Sequence, residues 1–189
     1  MDDCKNTVLE EYKSILDGSR KSFSRGVWSG DKGLTNIKLC VTYLLEEYLN
    51  LSEDDIKKQM SKEFLLRYKL INMYNLNFSS IFDLMNEVYP HKYKQWDFRM
   101  VPRGFWKIKS NRVLAIKWLI EDKLKYTPDD IRCKLSMYQF EENRLADMFR
   151  CYYNGNVYKV LEDAYPGEYQ VGDLVRAKPP RLIYSRKAC

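Results

Sequence analysis

At 189 residues, 45% apolar and 14% aromatic, the chain has enough hydrophobic material for a packed core and does not read as a disordered polymer. Charged residues interrupt every window of helix length, which excludes a transmembrane span, and the opening MDDCKNTVLEEYK lacks the apolar stretch of a secretory signal. The net charge of +6 is uneven: residues 176–189 hold five basic side chains and no acid, and 99–117 hold six and none.

The first predicted element is a helix over about 3–17, where Val8, Leu9, Tyr12, Ile15 and Leu16 follow helical spacing. After SRGVW (24–28), a second helix is predicted over 36–50, with Ile37, Cys40, Val41, Leu44, Leu45, Tyr48 and Leu49 as its apolar stripe. Ser52 stands where an N-cap belongs, three residues before Asp55, and opens a short helix at about 53–60. A third helix is predicted through 64–75, with Leu66, Leu70 and Met73 inward. NFSS breaks it, and a short fourth helix ends at VYPHKY (88–93), where Pro90 cannot donate the next backbone bond.

The same order then returns. At a shift of 75, Leu44, Glu46, Leu49, Asp54, Asp55, Ile56 and Ser61 recur as Leu119, Glu121, Leu124, Asp129, Asp130, Ile131 and Ser136. SRGVW is answered by PRGFW (102–106). After one inserted residue near Asn156, Tyr89, Pro90, Tyr93 and Asp97 recur as Tyr165, Pro166, Tyr169 and Asp173. In the second copy Thr127-Pro128 opens the short helix over 128–135. A longer helix spans 140–153, with Leu145, Met148, Phe149 and Tyr152 inward, and AYPGEY (164–169) closes the unit. The expected fold is all-α: an N-terminal helix (1–22), two tandem helical repeat units (23–98 and 99–175) of about four helices each, and a basic tail (176–189). The paired Tyr-Pro motifs are read as architecture, with Tyr89 and Tyr165 folding back on the core and Tyr93 and Tyr169 closing its edge.

Gly-Phe-Trp, a helix, TPDDI, a helix and YNGNVYKVLEDAYPGEY resemble a repeat domain of unknown function found in Firmicutes. The resemblance covers about 150 residues and is closer in the second unit; the first has Val27 for the aromatic, no Thr-Pro cap and His91 for the glycine. The helix order is more distantly similar to homing-endonuclease-associated repeats, a resemblance that implies DNA binding.

Motifs for catalysis are missing. There is a single histidine, His91, and no P-loop, nucleophile elbow or dinucleotide fingerprint, so no enzyme, cofactor or small-molecule substrate is expected. Cys4, Cys40, Cys133, Cys151 and Cys189 fall at no metal-like spacing and read as reduced thiols of a cytoplasmic protein. The pairs Asp54–Asp55 and Asp129–Asp130 are explained by favourable charge at helix starts. Trp28 and Trp106 are read as anchors on the core, with stacking on a base as the alternative.

For double-stranded DNA the third helix is the expected reader in a helix-turn-helix-like order, with Arg67, Lys69, Asn72 and Asn75 facing out in the first unit. In the second unit Arg144 and Arg150 share that surface with Glu141, Glu142 and Asp147. Arg25 and Arg103 beside the tryptophans, with Lys107, Lys109 and Arg112, complete the expected phosphate contacts, and the tail would add more. The leading expectation is a bacterial DNA-binding protein, a candidate regulator; the rival is a helical protein–protein adaptor.

Overall fold

The computed structural model describes residues 3–174; the tail at 176–189 and Cys189 lie outside the described residues, as does the side chain of Cys4. Among the described residues the chain is all-helical with no strand. It divides between Pro102 and Arg103 into two compact units.

Unit 1 runs α1 (Asp3–Leu16), α2 (Gly30–Thr42) with a π-helical turn at Tyr43–Tyr48, α3 (Glu53–Gln59), α4 (Lys62–Arg67), α5 (Ile71–Asn77) and α6 (Ile81–Val88), then a 3-10 turn at Gln95–Asp97. Unit 2 repeats the order without a counterpart of α1: a 3-10 turn at Phe105–Lys107, α7 (Lys109–Lys117) with a π-helical turn at Trp118–Lys123, α8 (Pro128–Lys134), α9 (Met137–Glu142), α10 (Ala146–Tyr153), α11 (Val157–Ala164) and a 3-10 turn at Val171–Asp173.

The caps fall where the sequence places them. The Ser52 hydroxyl accepts from Asp55 N–H at 3.2 Å, and the Thr127 hydroxyl accepts from Asp130 N–H at the same distance. Asp130 returns the contact to Thr127 N–H at 3.1 Å, and Lys134 followed by Thr127 draws its carboxyl down to about 2. α6 and α11 stop directly before Tyr89 and Tyr165, as the prolines require.

The duplication extends to tertiary contacts. Tyr89 donates its hydroxyl to Glu46 Oε1 at 2.7 Å, and Tyr165 donates to Glu121 Oε1 at 2.8 Å. Tyr93 and Tyr169 are buried, each edge-on to its Tyr-Pro tyrosine at 6.1 Å. Asp97 accepts from Lys94 N–H at 2.8 Å and Asp173 from Gln170 N–H at 2.9 Å, closing the last turn of each copy. The predicted N-terminal helix packs on unit 1: Tyr12 is fully covered, stacks on Phe23 at 5.5 Å and donates to the Tyr68 carbonyl at 3.0 Å.

One expectation is corrected in both units. The helices predicted over 64–75 and 140–153 are each broken in two, so each unit carries five helices besides α1. At the first break Lys69 N–H donates to Leu66 C=O and Leu70 N–H to Leu65 C=O. At the second, Arg144 N–H donates to Glu141 C=O and Leu145 N–H to Phe140 C=O. This is a Schellman termination, whose left-handed position usually holds glycine. Here Lys69 (φ 63°) and Arg144 (φ 61°) occupy it, so no glycine announces the turn. The break also rephases the faces. Leu66 and Tyr152, expected inside, are 60% and 40% exposed, and their neighbours Leu65 and Tyr153 are buried instead.

Leu70→Ala should therefore cost about 2–5 kcal/mol, whereas Leu66→Ala, one turn away, should stay within about 0.5 kcal/mol of the parent. Urea unfolding of the two variants measures this; equal losses would contradict the break.

Candidate nucleic-acid interface

Each unit enters its first long helix through Arg-Gly-x-Trp. Gly26 (φ 75°) and Gly104 (φ 83°) take left-handed conformations that a side chain would strain. An asparagine of the helix then holds the segment down: Asn36 Nδ2 donates to Val27 C=O at 2.8 Å, and Asn111 Nδ2 to Phe105 C=O at 3.0 Å. In unit 1 the first turn of α2 lies directly on this segment, since a Cβ on Gly33 would come within 2.4 Å of the Trp28 carbonyl carbon. Trp28 is 9% exposed and edge-on to Phe23 at 4.5 Å, so it is an anchor of the core. Trp106 is half-buried beside Phe105. Arg25 and Arg103, flanking the two glycines, are exposed.

The stretch from α4 through the left-handed turn into α5 holds four candidates. Arg67, Lys69, Asn72 and Asn75 are all exposed, and Glu63 is the single acidic residue between 62 and 77. Lys69 and Asn72 border a groove of about 440 Å³ whose other walls include Lys21, Phe23, Trp28 and Leu66. The corresponding stretch of unit 2 is electrostatically different. It carries Glu141, Glu142 and Asp147; Arg150 is ion-paired to Glu141, and Arg144 stands exposed at the left-handed turn. The units share a backbone scaffold and differ in surface charge.

At the start of α7 Lys107 and Lys109 are exposed, with Lys109 paired to Asp163 at 2.8 Å. Arg112 is a correction. Its side chain is 13% exposed and turned inward, donating through Nη1 to the carbonyls of Trp106 (2.7 Å) and Lys107 (3.0 Å) and through Nε to the Tyr153 hydroxyl (3.2 Å). The guanidinium lies 4.9 Å from the Tyr152 ring centroid, and the Tyr153 hydroxyl donates a hydrogen bond to Asp163 Oδ2 at 2.9 Å. Burial pushes the Asp163 carboxyl up, but Lys109, Tyr153 and Arg112 together hold it below the usual carboxylate range. Burial raises the Tyr153 phenol to about 12, with the Arg112 contact opposing the rise. Arg112 therefore locks the Gly-Phe-Trp segment onto α10 and α11 and is withdrawn from the phosphate-contacting set. Asp163 and Tyr153 went unnoticed in the sequence. The repeat held the signal: at a shift of 75, Arg112 stands where unit 1 has the fully buried Ile37.

Among the described residues no three His, Cys, Asp or Glu side chains gather as a metal site, and no helix is long and apolar enough to cross a membrane.

The contacts of Lys109, Tyr153 and Arg112 with Asp163 set a pH dependence. A carboxyl lowered on folding contributes stability above its unfolded value, near 3.8, and loses it as pH falls through the folded value. Asp163→Asn should cost about 1–3 kcal/mol at neutral pH. That gap from the parent should close as the pH is lowered below 3.8, which denaturant midpoints across an acid series would show. A gap constant with pH would contradict these contacts.

No curated protein and no solved structure matches the chain. A family model does match, twice in tandem, over residues 8–94 and 95–170. Together the two segments take in both structural repeats, from inside α1 to the residue after Tyr169. The chain thus belongs to the family described as a protein of unknown function, DUF4046.

Proposed function

We propose that this chain is a non-enzymatic DNA-binding protein of the bacterial cytoplasm, a regulator in which unit 1 meets base edges and unit 2 contributes phosphate contacts. The observation that carries the reading is the α4–α5 surface. Arg67, Lys69, Asn72 and Asn75 project from it with one carboxylate among them, while the equivalent surface of unit 2 presents three. Arginine and asparagine are the side chains that pair with guanine and adenine edges in a major groove. Because α4 and α5 are six and seven residues long, the reader is a helix–turn–helix-start surface centred on Lys69 rather than one long helix. Arg25 in unit 1 and Arg103, Lys107 and Lys109 in unit 2 would each bind phosphate, and the basic tail would add salt-dependent affinity. The resemblance in helix order to homing-endonuclease-associated repeats would fit the same reading.

A second reading, a protein–protein adaptor, is favoured by two exposed leucines on that surface, Leu66 at 60% and Leu76 at 75%. Binding of short duplex DNA across a salt series separates the two. The parent should bind at low salt with an affinity that falls steeply as salt rises. Arg67→Ala with Lys69→Asn should flatten the logarithmic slope by about 2, one for each lost phosphate or base-edge cation. Asparagine at 69 tolerates the left-handed backbone, so the variant tests charge and not folding. A folded parent that binds no duplex at low salt would overturn the DNA reading in favour of the adaptor.

A further inference from the structure

The groove of unit 1 has no counterpart in a simple account of duplex binding. Its walls come from three places: Ile15 of α1, the segment Lys21–Ser24 with Trp28 behind it, and Leu66, Lys69, Ile71 and Asn72 of the α4–α5 turn. Unit 2 cannot build it, because α1 is not duplicated and its positions equivalent to Leu66, Ile71 and Asn72 are Glu141, Ala146 and Asp147.

The lining is chemically one-sided. Phe23, Trp28, Leu66, Ile15 and Ile71 make an apolar and aromatic floor, Lys21 and Lys69 stand at the rim, and no carboxylate lines it. Glu11, the acid that touches the Lys21–Ser24 wall, is engaged by Ser24 N–H (3.0 Å), the Ser24 hydroxyl (2.6 Å) and Arg20 (3.2 Å). Neither rim ammonium is held in an ion pair among the described residues. Leu66 keeps 60% of its surface in solvent at the lip, where a ligand would cover it. Lys69 is also held at φ 63°, a backbone conformation costly for lysine, which fixes where its side chain leaves the turn.

We propose that this groove receives one unpaired nucleotide: a base laid on the Leu66–Phe23 floor, its edge within reach of Asn72, and its flanking phosphates between Lys21 and Lys69. The volume of about 440 Å³ is of the size that holds a single small ligand. Stacking against apolar and aromatic side chains accepts any base, while two unpaired cations select for the phosphates that accompany it. The inference rests on the DNA reading and deepens it: the protein would prefer a duplex with one extrahelical nucleotide over a fully paired one.

The test uses the full chain and two duplexes of equal length, one fully paired and one carrying a single extrahelical 2-aminopurine. The bulged duplex should bind about tenfold more tightly, and its fluorescence should rise as the base leaves its neighbours and enters the groove. Lys21→Gln with Leu66→Gln, both at exposed positions that folding does not depend on, should abolish the preference and the fluorescence rise while the paired duplex keeps its affinity within about threefold. Equal affinity for the two duplexes would overturn the groove proposal and leave the DNA reading standing; no binding to either would overturn both. A preference that survives the double variant places the nucleotide elsewhere and also overturns it. A Glu/Tyr copolymer that competes as well as the bulged duplex would overturn it in favour of an acidic protein segment.

Discussion

Each unit is closed by a tyrosine hydroxyl that reaches back more than forty residues to a glutamate on its first long helix. Tyr89 meets Glu46 and Tyr165 meets Glu121. The proline after each tyrosine ends the last helix, so the ring is free to leave the helical path and turn onto the π-helical segment that follows α2 or α7. Burial, then the neighbouring glutamate, raises both phenols, so each stays a proton donor over any physiological pH. This closure brings α6 to α2 and α11 to α7, and the short helices between them add Leu65, Met73, Phe140 and Met148 to the cores. The surfaces on which function depends are carried by that frame.

The duplicated frame supports two different faces. In unit 1 α1 adds a wall, the α4–α5 turn is basic and amide-rich, and Ile37 completes an apolar core. In unit 2 the same position holds Arg112, whose charge is met by Asp163 and whose protons are taken by two carbonyls and Tyr153. A largely covered guanidinium of this kind is tolerated because its donors are satisfied, and it gives unit 2 a polar joint where unit 1 has an apolar one. The surface stretch α9–α10 carries Glu141, Glu142 and Asp147, which oppose contact with phosphate. The two copies have kept the scaffold and parted in chemistry, as expected if only one of them reads a ligand.

Much of this was legible in the sequence. The tandem repeat, the Ser52 and Thr127 caps, the helix stops at the two Tyr-Pro pairs and the inward tyrosines follow from residue types whose local physics is strong. What was hidden depended on the backbone or on distant partners. The left-handed positions of the two breaks, Lys69 and Arg144, hold neither glycine nor asparagine, and apolar spacing runs through them as though the helix continued. Leu66 was accordingly misplaced by one face. Arg112 looked like a surface cation because charge alone suggests solvent; its partner Asp163 lies far along the chain, and only the comparison with Ile37 points to the interior. The groove was also invisible, since it joins α1, the loop before Trp28 and the α4–α5 turn, which no local pattern links.

The central claim is that the α4–α5 surface of unit 1 is where DNA is read. Hydrogen–deuterium exchange of the full chain, with and without saturating short duplex, tests it most directly, because backbone amides report contact element by element. The account predicts protection concentrated at 62–77 and, more weakly, at 103–109, with 137–153 unchanged. Protection centred on 137–153, or none in either unit at a DNA concentration that shifts the protein in a binding assay, would contradict it.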